Sequence, residues 1–155
     1  MTLASVEAAL EPLGLLDRII FFGRDATPTV ADAAKLLGCS TNRIAKTMAA
    51  RLNTGPLLIV LAGDARIDSR KFRRRFGESL KLIPGEALLE LTGHGPGSMT
   101  PIGAKPGVPV YFDQTLKALP ELYPAGGTAD TVVRLTLEEL LRATPRVEWV
   151  DIGKE

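Results

Sequence analysis

The residues best suited to chemistry lie in Gly93-His94-Gly95-Pro96-Gly97-Ser98-Met99-Thr100-Pro101-Ile102-Gly103. Alternating glycines interrupted by prolines build neither a helix interior nor a ladder strand, because glycine raises the entropy cost of ordering and proline has no N–H to donate. The segment is therefore a shaped loop. Its small side chains let backbone amides approach a bound group, which suits a phosphate, a carboxylate or a developing oxyanion. A long connection whose glycines only turn corners would have the same composition.

Three further groups compete for a role. Lys46 sits in Ile44-Ala45-Lys46-Thr47-Met48, where an ammonium is expensive to bury unless it meets an anion or fixed dipoles. It is a candidate to grip a phosphate, ribose or carbonyl; the alternative is a strand-edge lysine with its head in water. Ser98 with His94, and Asp113 or Asp130 as the acid, is the nearest approach to a nucleophilic triad. No Gly-x-Ser-x-Gly elbow accompanies it, and His94 is expected on the surface of the loop. The densest charge is Arg70-Lys71-Phe72-Arg73-Arg74-Arg75-Phe76. As a helix it anchors two phenylalanines and turns Arg70, Arg73 and Arg74 to one solvent face, an arrangement for phosphate contacts or simply a solvated face. There is no phosphate-binding Gly-x-x-x-x-Gly-Lys-Ser/Thr run, and Gly93-x-Gly95-x-Gly97 has the wrong spacing for a dinucleotide fingerprint.

The elements that must position these groups follow from pattern. Ser5 is expected to cap a helix through Leu13, stopped by Gly14, and Arg18–Phe22 reads as a strand. Thr27-Pro28 marks the turn before a helix over 29–37, with Gly38 as C-cap. Ser40 to Leu52 reads as a helical turn that becomes a strand by Thr47, and Asn53-Thr54-Gly55-Pro56 turns it into the apolar strand Leu57–Leu61. Asp68 caps a helix through Phe76, ending at Gly77. Leu80–Ile83 reads as a short strand, and Pro84 opens a short helix that delivers the chain into the glycine loop. Val108–Phe112 is a strand whose Pro109 points to an edge or a first position; 115–119 is a turn or a strand. Ala125-Gly126-Gly127-Thr128 turns into Val132–Leu135, Thr136 and Glu139 form a capping box, Pro145 ends that helix, and Arg146–Ile152 closes as a strand.

Strands outnumber the available crossover helices, so the expectation over 1–155 is a single α/β domain with a mixed sheet and peripheral helices. The 155 residues are 45% apolar, enough for a sizeable core, and 19 basic residues nearly balance 18 acidic ones. A polyanionic partner must then be met by a local patch. One histidine and one cysteine, Cys39, build neither a disulfide nor a structural zinc site, so no metal or cofactor is expected, the count leaving open only a carboxylate-bound Mg²⁺, and the chain reads as cytoplasmic. Glu7, Glu11 and Asp17 break up the N-terminal apolar residues, which fits neither a secretory signal nor a membrane span.

Ile44-Ala45-Lys46-Thr47, Gly97-Ser98-Met99-Thr100-Pro101-Ile102-Gly103 and Ala125-Gly126-Gly127-Thr128, in this order and spacing, resemble the YbaK/ProX family of aminoacyl-tRNA deacylases and prolyl-tRNA synthetase editing domains. The resemblance covers roughly Val6 to Asp151. It implies a mixed, barrel-like sheet and hydrolysis of the ester that joins a wrong amino acid to tRNA, most often alanine or cysteine on tRNA(Pro), by a free-standing factor with prolyl-tRNA synthetase as a possible partner. By position Lys46 matches the family's lysine at the terminal adenosine, and Gly97, Ser98 and Met99 match the loop whose amides surround the substrate carbonyl. Gly95, Thr100, Gly103 and Asp130 are then expected at the substrate, and Arg70, Lys71, Arg73, Arg74 and Arg75 on the tRNA. Two departures concern specificity: Gly97-Ser98 stands where relatives often carry two glycines, and Asp130 lies only near their late polar residue. A second reading keeps the fold as a non-catalytic tRNA-binding or adaptor module, and a third is a small-molecule hydrolase using Ser98 and His94.

Overall fold

The computed structural model describes residues 2–23, 29–95, 98–144 and 146–154. The described elements begin with α1 (Thr2–Leu10), β1 (Ile19–Phe21), α2 (Val30–Leu37), β2 (Ile44–Leu52), β3 (Gly55–Ala62), β4 (Arg66–Ile67) and α3 (Ser69–Phe76). They continue with α4 (Gly85–Thr92), β5 (Val110–Asp113), β6 (Tyr123–Pro124), β7 (Thr131–Val133), α5 (Leu137–Ala143), β8 (Val147–Val150) and β9 (Gly153–Lys154).

Local chemistry explains most of these boundaries. Thr29 and Thr136 each accept the amide three residues on and receive a carboxylate in return, so α2 and α5 both open on a capping box. Asp68 accepts the amides of Arg70 and Lys71 at the start of α3. A two-residue loop, Asn53-Thr54, closes the β2–β3 hairpin, with Leu52 opposite Gly55.

A five-stranded mixed sheet runs β6-β2-β3-β5-β8, antiparallel only between β2 and β3, and curls into a half-barrel. Isolated bridges Leu122↔Leu135 and Ala125↔Val132 carry it onward to β7, which pairs with β1. Central strand β3 is buried from Leu57 to Ala62, as a strand covered on both faces must be. Phe72, Phe112, Ile102, Leu116 and Leu140 complete the core without exposure.

Several boundaries differ from the sequence reading. Helix α1 starts by Thr2, with Ser5 inside it and a 3-10 turn over Glu11–Leu13 before Gly14. Strand β2 begins at Ile44, three residues early, because β3 and β6 supply ladder partners there. Leu80–Ile83 forms only a bridge at Ala50↔Leu82, and 115–119 lies mostly in a 3-10 turn, Gln114–Ala118. Pro109 precedes β5, an interior strand; its carbonyl accepts the Leu58 amide, so its missing N–H costs nothing. Thr27-Pro28 and Pro145 lie outside the described residues.

Candidate functional site

The outer edge of β2 has a gap. Strand β6 covers it at Ile44 and Ala45, while Ala49 accepts the Ile83 amide and Arg51 donates to the Lys81 carbonyl further along. Between them Thr47 has its backbone on the same side as Ala49, and no strand pairs with it there among the described residues. A cavity of about 190 Å³ opens at the gap, walled by Val30 and Ala33 of α2, residues 44–47 of β2, Met99, Tyr123 and the turn before β7.

Lys46 is half-buried on this wall, and its ammonium makes no hydrogen bond or ion pair among the described residues. Burial pushes its ammonium below the ordinary lysine range; Asp64 opposes the shift and Arg66 adds to it. Two neighbours carry no signal in the sequence. The Thr47 hydroxyl is buried without a hydrogen-bond partner, and buried Tyr123 donates to Glu121 at 3.3 Å, with burial raising its phenol.

The glycine loop reaches the cavity through Met99. Its other expected residues are placed differently. Ser98 is buried, and both its amide (3.2 Å) and its hydroxyl (3.1 Å) donate to the Gly95 carbonyl, so that amide is not free for a ligand. The Met99 amide has no such partner among the described residues. Thr100 is buried and accepts the Ile102 amide at 3.3 Å, which shapes the loop. Gly103 packs on α1: a Cβ there would lie 2.6 Å from the Ser5 carbonyl oxygen. Gly97 lies outside the described residues.

His94 is not on the surface. Gly93 ends α4 in the left-handed region (φ 87°) and turns the chain inward, so that His94 is wholly buried with neither ring nitrogen hydrogen-bonded among the described residues. Burial lowers its pKa, which the Ile102 backbone partly opposes. Asp113, one of the two acids expected for a triad, instead accepts the amides of Ile152 and Gly153, both at 2.8 Å. Ser98, His94 and Asp113 therefore form no triad.

Opposite β2, Gly126 lets the turn fold over Thr131, whose Oγ1 would be 2.5 Å from an added Cβ. Asp130 is half-buried between the wall residues Ala129 and Thr131 and accepts the Thr128 hydroxyl at 2.9 Å.

Helix α3 lies beyond β4. Lys71 binds Asp151 (3.2 Å) and the Gly153 carbonyl (3.0 Å), while Arg75 pairs with Glu148 and lies over the Phe76 and Tyr111 rings. Arg70, Arg73 and Arg74 are exposed and make no ion pair among the described residues. Of the expected cationic set, then, these three present free charge and two hold the helix to the C-terminal segment.

The family model of the aminoacyl-tRNA editing domain matches residues 24–143. The Bacillus subtilis (strain 168) protein YwhH, itself uncharacterised, is 36% identical over 131 residues, covering 84% of this chain and 83% of that protein. Proline--tRNA ligase of Pelobacter propionicus is 31% identical over 101 residues, 62% of this chain and 18% of the ligase. A solved structure described as "a putative trans-editing enzyme for prolyl tRNA synthetase" superposes with a TM-score of 0.86 at 30% identity, covering 99% of this chain and 98% of that one.

Proposed function

The chain belongs to the aminoacyl-tRNA editing domain family, and from that premise we propose that it is a deacylase that cleaves the ester of mischarged tRNA(Pro), carrying alanine or cysteine, in the cytoplasm. The observation that carries this reading is that Lys46 and Met99, far apart in sequence, wall the same small cavity. Eight of its thirteen wall residues are Val, Ile, Ala or Met, a lining for a small uncharged acyl side chain. A synthetase pocket separates amino acids differing by one methylene by only about 1–3 kcal/mol, so a second hydrolytic site has work to do.

Lys46 orients the terminal nucleotide, its half-buried ammonium receiving the oxygen partner it lacks in the free protein. The Met99 amide polarises the ester carbonyl. Water attacks that carbon, the bond to the ribose oxygen breaks, and the ribose hydroxyl leaves with a proton relayed by its neighbouring hydroxyl; free amino acid and tRNA result. One fixed oxyanion donor lowers such a barrier by about 2.7–4 kcal/mol, enough for an ester without a side-chain nucleophile. His94 and Ser98 take no part, which sets the small-molecule hydrolase reading aside.

The test is hydrolysis of Ala-, Cys- and Ser-tRNA(Pro) by wild type and Lys46→Ala. The variant is expected to lose about 10²-fold or more in rate on whichever substrate the wild type cleaves, the range seen when one transition-state contact is removed. Equal rates end the role of Lys46. A wild type that binds tRNA yet cleaves none of the three leaves a tRNA-binding module in place of an enzyme.

A further inference from the structure

Strands β4 and β9 make a ladder of two residues in which Arg66 stands directly opposite Lys154. Like charges in that position destabilise a ladder. Both side chains are exposed, and neither forms an ion pair among the described residues. The carboxylate of Asp68, two residues from Arg66, accepts the Arg70 and Lys71 amides at 2.9 and 3.1 Å, and the Lys154 and Lys71 ammoniums beside it help to hold its pKa down.

The ladder is held by other contacts. Asp113 binds the Ile152 and Gly153 amides at 2.8 Å, the Asp68 amide donates to the Ile152 carbonyl at 2.7 Å, and Lys71 donates to the Gly153 carbonyl at 3.0 Å. Gly153 has no room for a side chain, since a Cβ would lie 2.5 Å from Asp113 Oδ2. A buried carboxylate and a glycine thus fix Lys154 beside a charge that repels it. An anion set between the two cations would relieve what repulsion the Asp68 carboxylate leaves.

Its place in the fold says which anion. Lys46 is opposite Leu61 in the β2–β3 register, and the chain passes from Leu61 through a tight turn, closed by the Ala65 amide on the Ala62 carbonyl, to Arg66. Arg66 is near enough to disfavour protonation of Lys46. Three residues further on α3 begins, with Arg70, Arg73 and Arg74 exposed. Lys46, Arg66 and the exposed arginines of α3 therefore follow one another from the cavity to the helix, with the Asp64 and Asp68 carboxylates among them.

We propose that Arg66 and Lys154 are a phosphate-binding pair for the single-stranded 3′ end of tRNA, gripping the backbone between the acylated terminus in the cavity and the duplex on α3. This site rests on the deacylase reading above and adds residues to it. The pair compensates its mutual repulsion on a phosphate, and its position between the cavity and α3 separates the single strand from the stem.

The experiment measures binding of two unacylated RNAs by fluorescence anisotropy across salt concentrations: a labelled single strand of the tRNA 3′ end and a blunt acceptor-stem duplex. The proteins are wild type, the double variant Arg66→Gln with Lys154→Gln, and Arg142→Gln on α5 as a charge control, with thermal melts to confirm folding. The double variant is expected to lose about 1.4 in the log–log salt slope for the single strand, that is about 0.7 for each of two phosphates. Its affinity deficit then shrinks roughly sevenfold between 50 and 200 mM salt. Arg142→Gln and duplex binding are expected to follow wild type. An unchanged slope overturns the pair, and an equal loss on the blunt duplex overturns its assignment to the single strand. Because the RNAs are unacylated, a protein that shows the slope change yet hydrolyses no ester keeps this site while losing the deacylase reading.

Discussion

At the scale of single residues, His94 shows how the site region responds to acid. A buried polar group without a partner costs about 1–3 kcal/mol, and protonating it there costs more. Its folded pKa lies below the ordinary 6.5. The unfolded chain therefore takes up a proton before the folded one does: stability is full above 6.5 and falls as the pH drops from there toward the folded value. Denaturant midpoints measured at about pH 7.5 and about pH 5.5 should fall more for wild type than for His94→Leu, which has nothing to protonate. Equal falls would show that the imidazole is not the group responsible. The sequence marked Lys46 through its apolar neighbours, because an isolated charge among aliphatic residues is visible in one dimension. It could not mark the burial of His94 or of the Thr47 hydroxyl, which depends on where α4 and β6 lie in space.

Elements were legible where the signal is local. The capping pairs Thr29–Asp32 and Thr136–Glu139 and the Asp68 cap are hydrogen bonds between residues at most three apart, and the helices start where those residues stand. Strand edges were less so: β2 reaches back to Ile44 because distant Tyr123 and Pro124 pair with it, while Leu80–Ile83 finds no such partner beyond one bridge. Gly63 is a second case of long-range control. A Cβ there would lie 2.2 Å from the Thr41 carbonyl oxygen and 2.8 Å from that of Ile44, so the start of β2 depends on its absence. Gly63→Ala is expected to cost about 1–3 kcal/mol, as overpacking of a dense interior does, and to lower activity with it by shifting the strand that carries Lys46. Chemical denaturation reads the first effect. A variant as stable as wild type would mean that the backbone yields without cost.

The molecule as a whole is almost neutral, with 19 basic and 18 acidic residues, yet α3 gathers on its exposed side three arginines that make no ion pair among the described residues. Affinity for a polyanion must come from local patches such as this one rather than from net charge. Replacing Arg70, Arg73 and Arg74 by glutamine should weaken acceptor-stem binding and flatten its salt dependence by about 0.9 in slope for each duplex phosphate that the helix no longer neutralises. Titration of the duplex at several salt concentrations decides it; an unaltered slope removes the helix from the interface. No described helix is long and apolar enough to cross a membrane. The β4–β9 ladder has one more consequence, for order of assembly. Ile152 and Gly153, where its last strand begins, supply the two amides that the buried Asp113 carboxylate accepts, so the core around β5 closes only once that strand has docked.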